Sequence, residues 1–203
     1  MDTFNLTMLP PGEIVADVVA AQTAIPRSLS GKWRQIDFTA GGLVVARYAR
    51  VVVQRPAQHL YVNELAALLN GGAGIIVPIQ TGLTAPDGFV SAALSGAHAL
   101  NAGTLSFSFS AGEALSGGEW LAINHAVKGW RAYRIWEIDV LGATYTVAIQ
   151  PPLREATADL TAVDFANPRV VARLAEGSSL PWRLSGAWRG EFSVEFVERF
   201  EVG

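Results

Sequence analysis

Apolar and polar residues alternate along much of the second half of the chain. Trp130, Ala132, Arg134, Trp136, Ile138 and Val140 form one mostly apolar row, and Arg131, Tyr133, Ile135, Glu137 and Asp139 form a mixed one. A period of two is the signature of a strand. The run Tyr145, Val147, Ile149 against Thr144, Thr146, Ala148 is cleaner, and the intervening Leu141-Gly142-Ala143 predicts an antiparallel hairpin. Leu105, Phe107 and Phe109 alternate with Ser106, Ser108 and Ser110, which predicts another half-buried strand. Near the end, Phe192, Val194, Phe196, Phe200 and Val202 share one parity, and the misfits Val197 and Glu198 predict a bulge or a change of face.

The front half is less regular. Ile36 and Phe38 alternate with Gln35 and Asp37, Thr39-Ala40-Gly41-Gly42 supplies turn residues, and Leu43 to Gln54 reads as a long return strand, together predicting a hairpin. Arg47 and Arg50 lie inside that return strand, so part of one face must be wet or paired. Asn63 is placed to cap a short helix over 64–69, with Leu65, Leu68 and Leu69 on one side and Gly71-Gly72 ending it. Ile75, Ile76, Val77 and Ile79 predict a buried strand despite Pro78, and residues 82–88 have linker composition. Residues 1–30, broken by Pro10-Pro11-Gly12 and Ile25-Pro26, read as an extended arm or irregular first strand.

These elements predict a mainly β protein. The front half holds too few strands for a sheet of its own, and the late strand from Phe192 to Val202 would complete one. The expected organisation is therefore a discontinuous host domain, residues 1–81 and 169–203, interrupted by an all-β barrel or sandwich module, residues 82–168.

Composition narrows the function classes. The 203 residues are 50% hydrophobic and 16% charged, with net charge −3, as expected of a folded chain that buries a core. No run of Lys and Arg offers a basic face, so nucleic acid and anionic membrane are poor partners. Cysteine is absent, which excludes disulfides and thiolate chemistry. No secretory signal is read at the N-terminus, and no apolar run has the roughly 18 to 20 residues of a membrane helix.

Candidate chemistry is sparse. His59, His98 and His125 stand far apart without metal-binding spacing, so no metal or cofactor is expected. Gly71-Gly72-Ala73-Gly74 follows a helix, whereas a phosphate cradle precedes one. Glu137 and Asp139 share a strand face, enough in principle for a two-carboxylate hydrolase, but a solvated face accounts for them more simply. Glu195, Glu198 and Glu201 read as a charged exterior. Six tryptophans are a richer signal, because Trp120, Trp130 and Trp136, with Tyr133, fall in the inserted module, where they could build a glycan platform or pack a core or interface.

Trp120-Leu121-Ala122-Ile123, Tyr133-Arg134-Ile135, Tyr145 to Ile149, Gln150-Pro151-Pro152-Leu153-Arg154 and Val163 to Pro168 occur in an order that resembles distal or minor tail proteins of long-tailed bacteriophages with flexible tails. Trp33 to Phe38, the long return strand and the short helix before Gly71 fit the same order. The resemblance covers about residues 30 to 175 and the terminal strand; residues 1–30 fall outside it. It implies a non-enzymatic virion protein at the tail tip, assembled in the host cytoplasm, whose β-sandwich-like host domain forms a homo-oligomeric, commonly hexameric, ring between tail tube and tip or baseplate hub. The inserted module, OB-like or galectin-like, would project outward. Head-to-tail association needs two different patches on each subunit, and Trp33, Phe38, Leu65, Leu68, Phe192 and Phe196 are the candidate ring contacts. The alternatives are a carbohydrate-binding module using Trp120, Trp130, Tyr133 and Trp136, and another tail protein such as a tube subunit or terminator.

Overall fold

The computed structural model describes residues 1–19, 22–24, 35–37, 41–70, 72–79, 92–108, 115–141, 144–176, 178, 180 and 190–199. The protein is mainly β, with one helix, a five-stranded sheet and a closed six-stranded barrel. The sheet is antiparallel throughout and runs β1 (Glu13–Val19), β4 (Leu43–Val53), β13 (Gly190–Glu198), β12 (Arg169–Leu174), β5 (Ile75–Pro78). The barrel closes through β10 (Thr144–Gln150), β7 (Thr104–Ser108), β6 (Ala92–Leu94), β11 (Ala162–Asp164), β8 (Trp120–His125) and β9 (Gly129–Leu141). A separate pair joins β2 (Gln22–Ala24) to β3 (Gln35–Asp37).

The barrel lies between two neighbouring strands of the sheet. Pro78 at the end of β5 is opposite Arg169 at the start of β12, and the Ile79 N–H donates to the Pro168 carbonyl at 2.6 Å. Pro78 is tolerated because β5 is an edge strand. The N-terminus covers that edge: Thr3 bridges Ile76 in parallel, and Phe4 N–H donates to Ile76 O at 2.8 Å.

The expected hairpin of the front half is corrected. β3 pairs with β2 and not with β4; β4 lies between β13 and β1, and β1 comes from the segment read as an extended arm or irregular first strand. Alternation in Ile14, Ala16 and Val18, which pack against the sheet core, was the missed signal. The glycines at 41 and 42 have φ of +97° and +105°. A Cβ on Gly41 would overlap Pro152 Cδ, and one on Gly42 would lie 2.9 Å from Val18 Cγ1, so close approach is what these positions require.

The helix is also longer than its apolar spacing suggests. α1 spans Pro56–Asn70, beginning on a proline whose fixed φ and missing N–H suit the first helical position. Gln58 reaches back so that its Oε1 accepts from Gln54 and Arg55 N–H at 2.8 and 2.9 Å, which satisfies donors at the helix start. Gly72, at φ +78°, donates to Leu69 O and ends the helix as its sequence implies. Val62, Leu65 and Leu69 form the stripe that packs on the sheet. Phe4, Tyr48 and Phe196 meet edge to face behind it, with centroids 4.9 to 5.7 Å apart.

A bulge organises β9. Ile149 pairs with Ile135 and Ala148 with Glu137, so Trp136 is the extra residue. Before it Arg131, Tyr133 and Ile135 are the buried residues of odd parity; beyond it the inward side chain is Ile138. The even-numbered row read as the apolar face is therefore outward at Arg134 and Trp136. Leu105, Phe107, Val147 and Ile149 fill the barrel as their alternation predicts. A second bulge falls where Phe192 and Val194 pair with Val51 and Tyr48; the extra residue is on β4, at Ala49-Arg50, and Arg50 has φ +54°.

Candidate functional site

The candidate aromatics do not converge. Trp120 and Tyr133 are buried, Trp120 within the sheet's apolar cluster and Tyr133 inside the barrel. Trp136 is 62% exposed at its bulge. Trp130 is half-buried and covered on one face by the Arg169 guanidinium, whose Cζ lies 4.1 Å above the ring centroid. The four-residue glycan platform is therefore not formed, because β-strand alternation sends Tyr133 to the opposite side from Trp120 and Trp130.

The candidate ring contacts divide similarly. Leu65, Phe192 and Phe196 are core residues of the subunit and have no side-chain surface to offer a neighbour. Leu68 is exposed on the outer side of α1. Trp33 and Phe38 lie outside the described residues. Glu137 and Asp139 are solvent-exposed on β9, in line with a solvated strand face. Among the described residues no three His, Cys, Asp or Glu side chains gather to hold a metal ion.

What the fold brings together is a buried polar cluster where the barrel meets the sheet. The segment after β10, starting with a cis Gln150-Pro151 bond, buries Leu153 in the barrel core and then brings Arg154 to the sheet. Arg154 Nε and Nη2 lie 3.3 and 3.2 Å from Glu198 Oε1 and Oε2, and Nη2 also donates to the Gly42 carbonyl. Glu198 Oε2 accepts from Val44 N–H at 3.2 Å. Arg131, from the barrel, places Nε 3.6 Å from Glu198 Oε1 and donates from Nη1 to Val171 O at 3.2 Å. One carboxylate on the last described strand thus holds two guanidiniums from the barrel side. The exterior reading of Glu198 is overturned, since only 3% of the residue is exposed. No bulge occurs at Val197-Glu198; Glu198 continues the inward parity of Val194 and Phe196, and its charge is accepted because two arginines meet it. Glu195 is a surface residue paired with Arg47 at 2.5 Å, and Glu201 lies outside the described residues.

A neutral layer adjoins the ions. Tyr133 Oη accepts from Arg154 N–H at 3.1 Å and lies 2.7 Å from His125 Nε2, within hydrogen-bonding distance. Burial pushes the Tyr133 hydroxyl well above its ordinary pKa. Burial also lowers His125 to about 4, with Glu155 opposing and Arg131 and Lys128 assisting the shift. Glu155 anchors the β8–β9 turn by accepting from Val127 and Lys128 N–H. Arg131 is lowered, again chiefly by burial, against the pull of Glu198. Its Nε and Nη2 have no hydrogen-bond acceptor in the structure.

This arrangement ties the barrel to the sheet through buried ion pairs and hydrogen bonds. Burial keeps His125 and Tyr133 neutral at pH 7. His98 is used locally, its Nε2 3.4 Å from Ser106 N–H, and His59 lies on α1, so the three histidines do not converge. The Pro-Pro-Leu-Arg run identified Arg154 as part of a motif; strand parity was the only sequence sign for Glu198, and Arg131 was hidden by the bulge after it. A scan against protein-family models finds none that matches the chain, and a search of curated proteins finds no match either.

Proposed function

We propose that this protein is a structural subunit of a flexible phage tail, forming a homo-oligomeric ring at the distal end between the tube and the tip or hub. The observation that carries the reading is that the Pro-Pro-Leu-Arg segment, on which the resemblance to distal tail proteins chiefly rests, is the piece that fastens the barrel to the sheet. Arg154 closes on Glu198 and Gly42, and Pro152 packs against Gly41. A residue run that fixes two β units rigidly suits a part with a mechanical role. The reading has no enzymatic step, and its partners are other copies of the chain, the tube protein and the tip proteins.

With Leu65, Phe192 and Phe196 inside the subunit, the ring contacts fall to exposed residues. Leu68 on α1 and the outward Val15 and Val19 of the edge strand β1 are the apolar candidates. Native mass spectrometry of the purified protein, with cryo-electron microscopy of the particle, tests the proposal. A closed ring at one end of the tail tube is the expected result. A monomer in solution together with absence from the tail end would sink it.

A further inference from the structure

Beside Trp130 the outer wall of the barrel carries an open trough of about 600 Å³. Strand register explains its lining. Trp130 is directly opposite Asn124 in the β8–β9 ladder, and Asp164 on β11 is opposite Ala122, two residues along β8, so Asn124, Trp130 and Asp164 share one outward face. Asn167, Ala162 and Ala166 also line the trough.

The trough is held in shape before any ligand arrives. Arg169 stacks on one face of the Trp130 indole and is itself fixed by Asp164 at 2.8 Å. The other oxygen of Asp164 accepts from Asn167 N–H at 2.8 Å, which sets the loop that carries the Asn167 amide. Orienting an indole in this way removes the rotamer entropy that a ligand would otherwise have to offset. The indole's remaining surface lines this trough and a second cleft of about 420 Å³ on the side of Gly129 and Val171.

We infer that this trough is a carbohydrate subsite that takes a single pyranose, with its C–H face against Trp130 and its hydroxyls on the Asn124 and Asn167 side chains. A pyranose is apolar on one face and rimmed by hydroxyls. It therefore matches a wall that offers an aromatic surface at one side and exposed amides, each both donor and acceptor, at the others. The chain's net charge of −3 and the scarcity of cations at the trough disfavour a phosphorylated ligand. The site uses only one of the four aromatics that sequence would recruit. It does not depend on the ring reading, so failure of either leaves the other standing.

The test is saturation-transfer NMR on the full-length protein with a panel of methyl pyranosides of glucose, galactose, mannose and N-acetylglucosamine. At least one should bind, with transfer strongest at its ring C–H protons. Trp130→Ala should weaken that binding by about tenfold or more, and Asn124→Ala and Asn167→Ala by severalfold each. Trp136→Ala, remote in register and outside the trough, should leave it unchanged. No binding across the panel would overturn the inference, as would undiminished binding by folded Trp130→Ala. Should Trp130→Ala fail to fold, the two exposed asparagines decide: binding unaltered in both variants also overturns it.

Discussion

Arginine is used in two opposite ways in this molecule. At the junction of barrel and sheet, Arg131 and Arg154 are buried and share one carboxylate, Glu198. At the trough, Arg169 keeps 31% of its side chain exposed, pairs with Asp164 and lies on Trp130. Removing an ion from water costs several kcal/mol, so the first cluster is stable only while every member is present. The second has water available to replace any partner that is lost. The junction thus enforces a geometry, and the trough pair merely biases one.

The sharpest way to break this contrast is Glu198→Ala. It removes the carboxylate that both enclosed guanidiniums share and should cost about 3–5 kcal/mol, read as a lowered urea midpoint. An unchanged midpoint would mean that the cluster is hydrated and that the contrast is false. Acid should weaken the same region through His125. Its folded pKa of about 4 lies below the ordinary 6.5, so between those values the unfolded chain takes up a proton that the folded chain refuses. Stability is therefore fully present above pH 6.5 and falls as pH drops toward 4, by about 3 kcal/mol if the shift is complete. Urea titrations at pH 7 and pH 4.5 in the protein and in His125→Gln should diverge by most of that amount; parallel curves would remove His125 from the account.

Gly41→Ala probes the junction from its backbone side. The new Cβ meets Pro152 at a residue with φ +97°, and a loss of about 2 kcal/mol in thermal unfolding is expected. At the mild end, Arg169→Ala should cost about 1 kcal/mol or less, since its ion pair and ring contact are partly solvated. A loss as large as that of Glu198→Ala would erase the distinction between the two regions.

Legibility in the sequence followed the same division. Leu105, Phe107, Val147 and Ile149 were readable as barrel residues because alternation and inward facing coincide there. On β9 the bulge at Trp136 reversed parity midway, and no residue type announces a bulge when neither glycine nor proline marks it. Gly41 and Gly42 were misread as a hairpin turn because a glycine pair signals unusual backbone without saying whether a turn or a neighbouring chain requires it. Pro56 was a sufficient sign for the start of α1, but Asn63 offered a more familiar cap closer to the leucines. Glu198 was lost because a glutamate near a terminus reads as surface, and its two partners lie 44 and 67 positions away in the sequence. The trough drew on residues from β8, β9, β11 and the loop after it, so only Trp130 among its members stood out beforehand.

The crossing from Ile79 to Pro168 spans a single hydrogen bond, and this makes the barrel resemble a cassette spliced into a hairpin. A chain cut after Ile79 and rejoined at Pro168 by a short turn would keep the ladder between β5 and β12 in register. It would also strand Glu198, whose guanidinium partners both travel with the cassette, so excision needs a compensating Glu198→Leu. Swapping barrels between related chains is open to the same reasoning: the incoming unit must bring its own arginines or find an apolar socket.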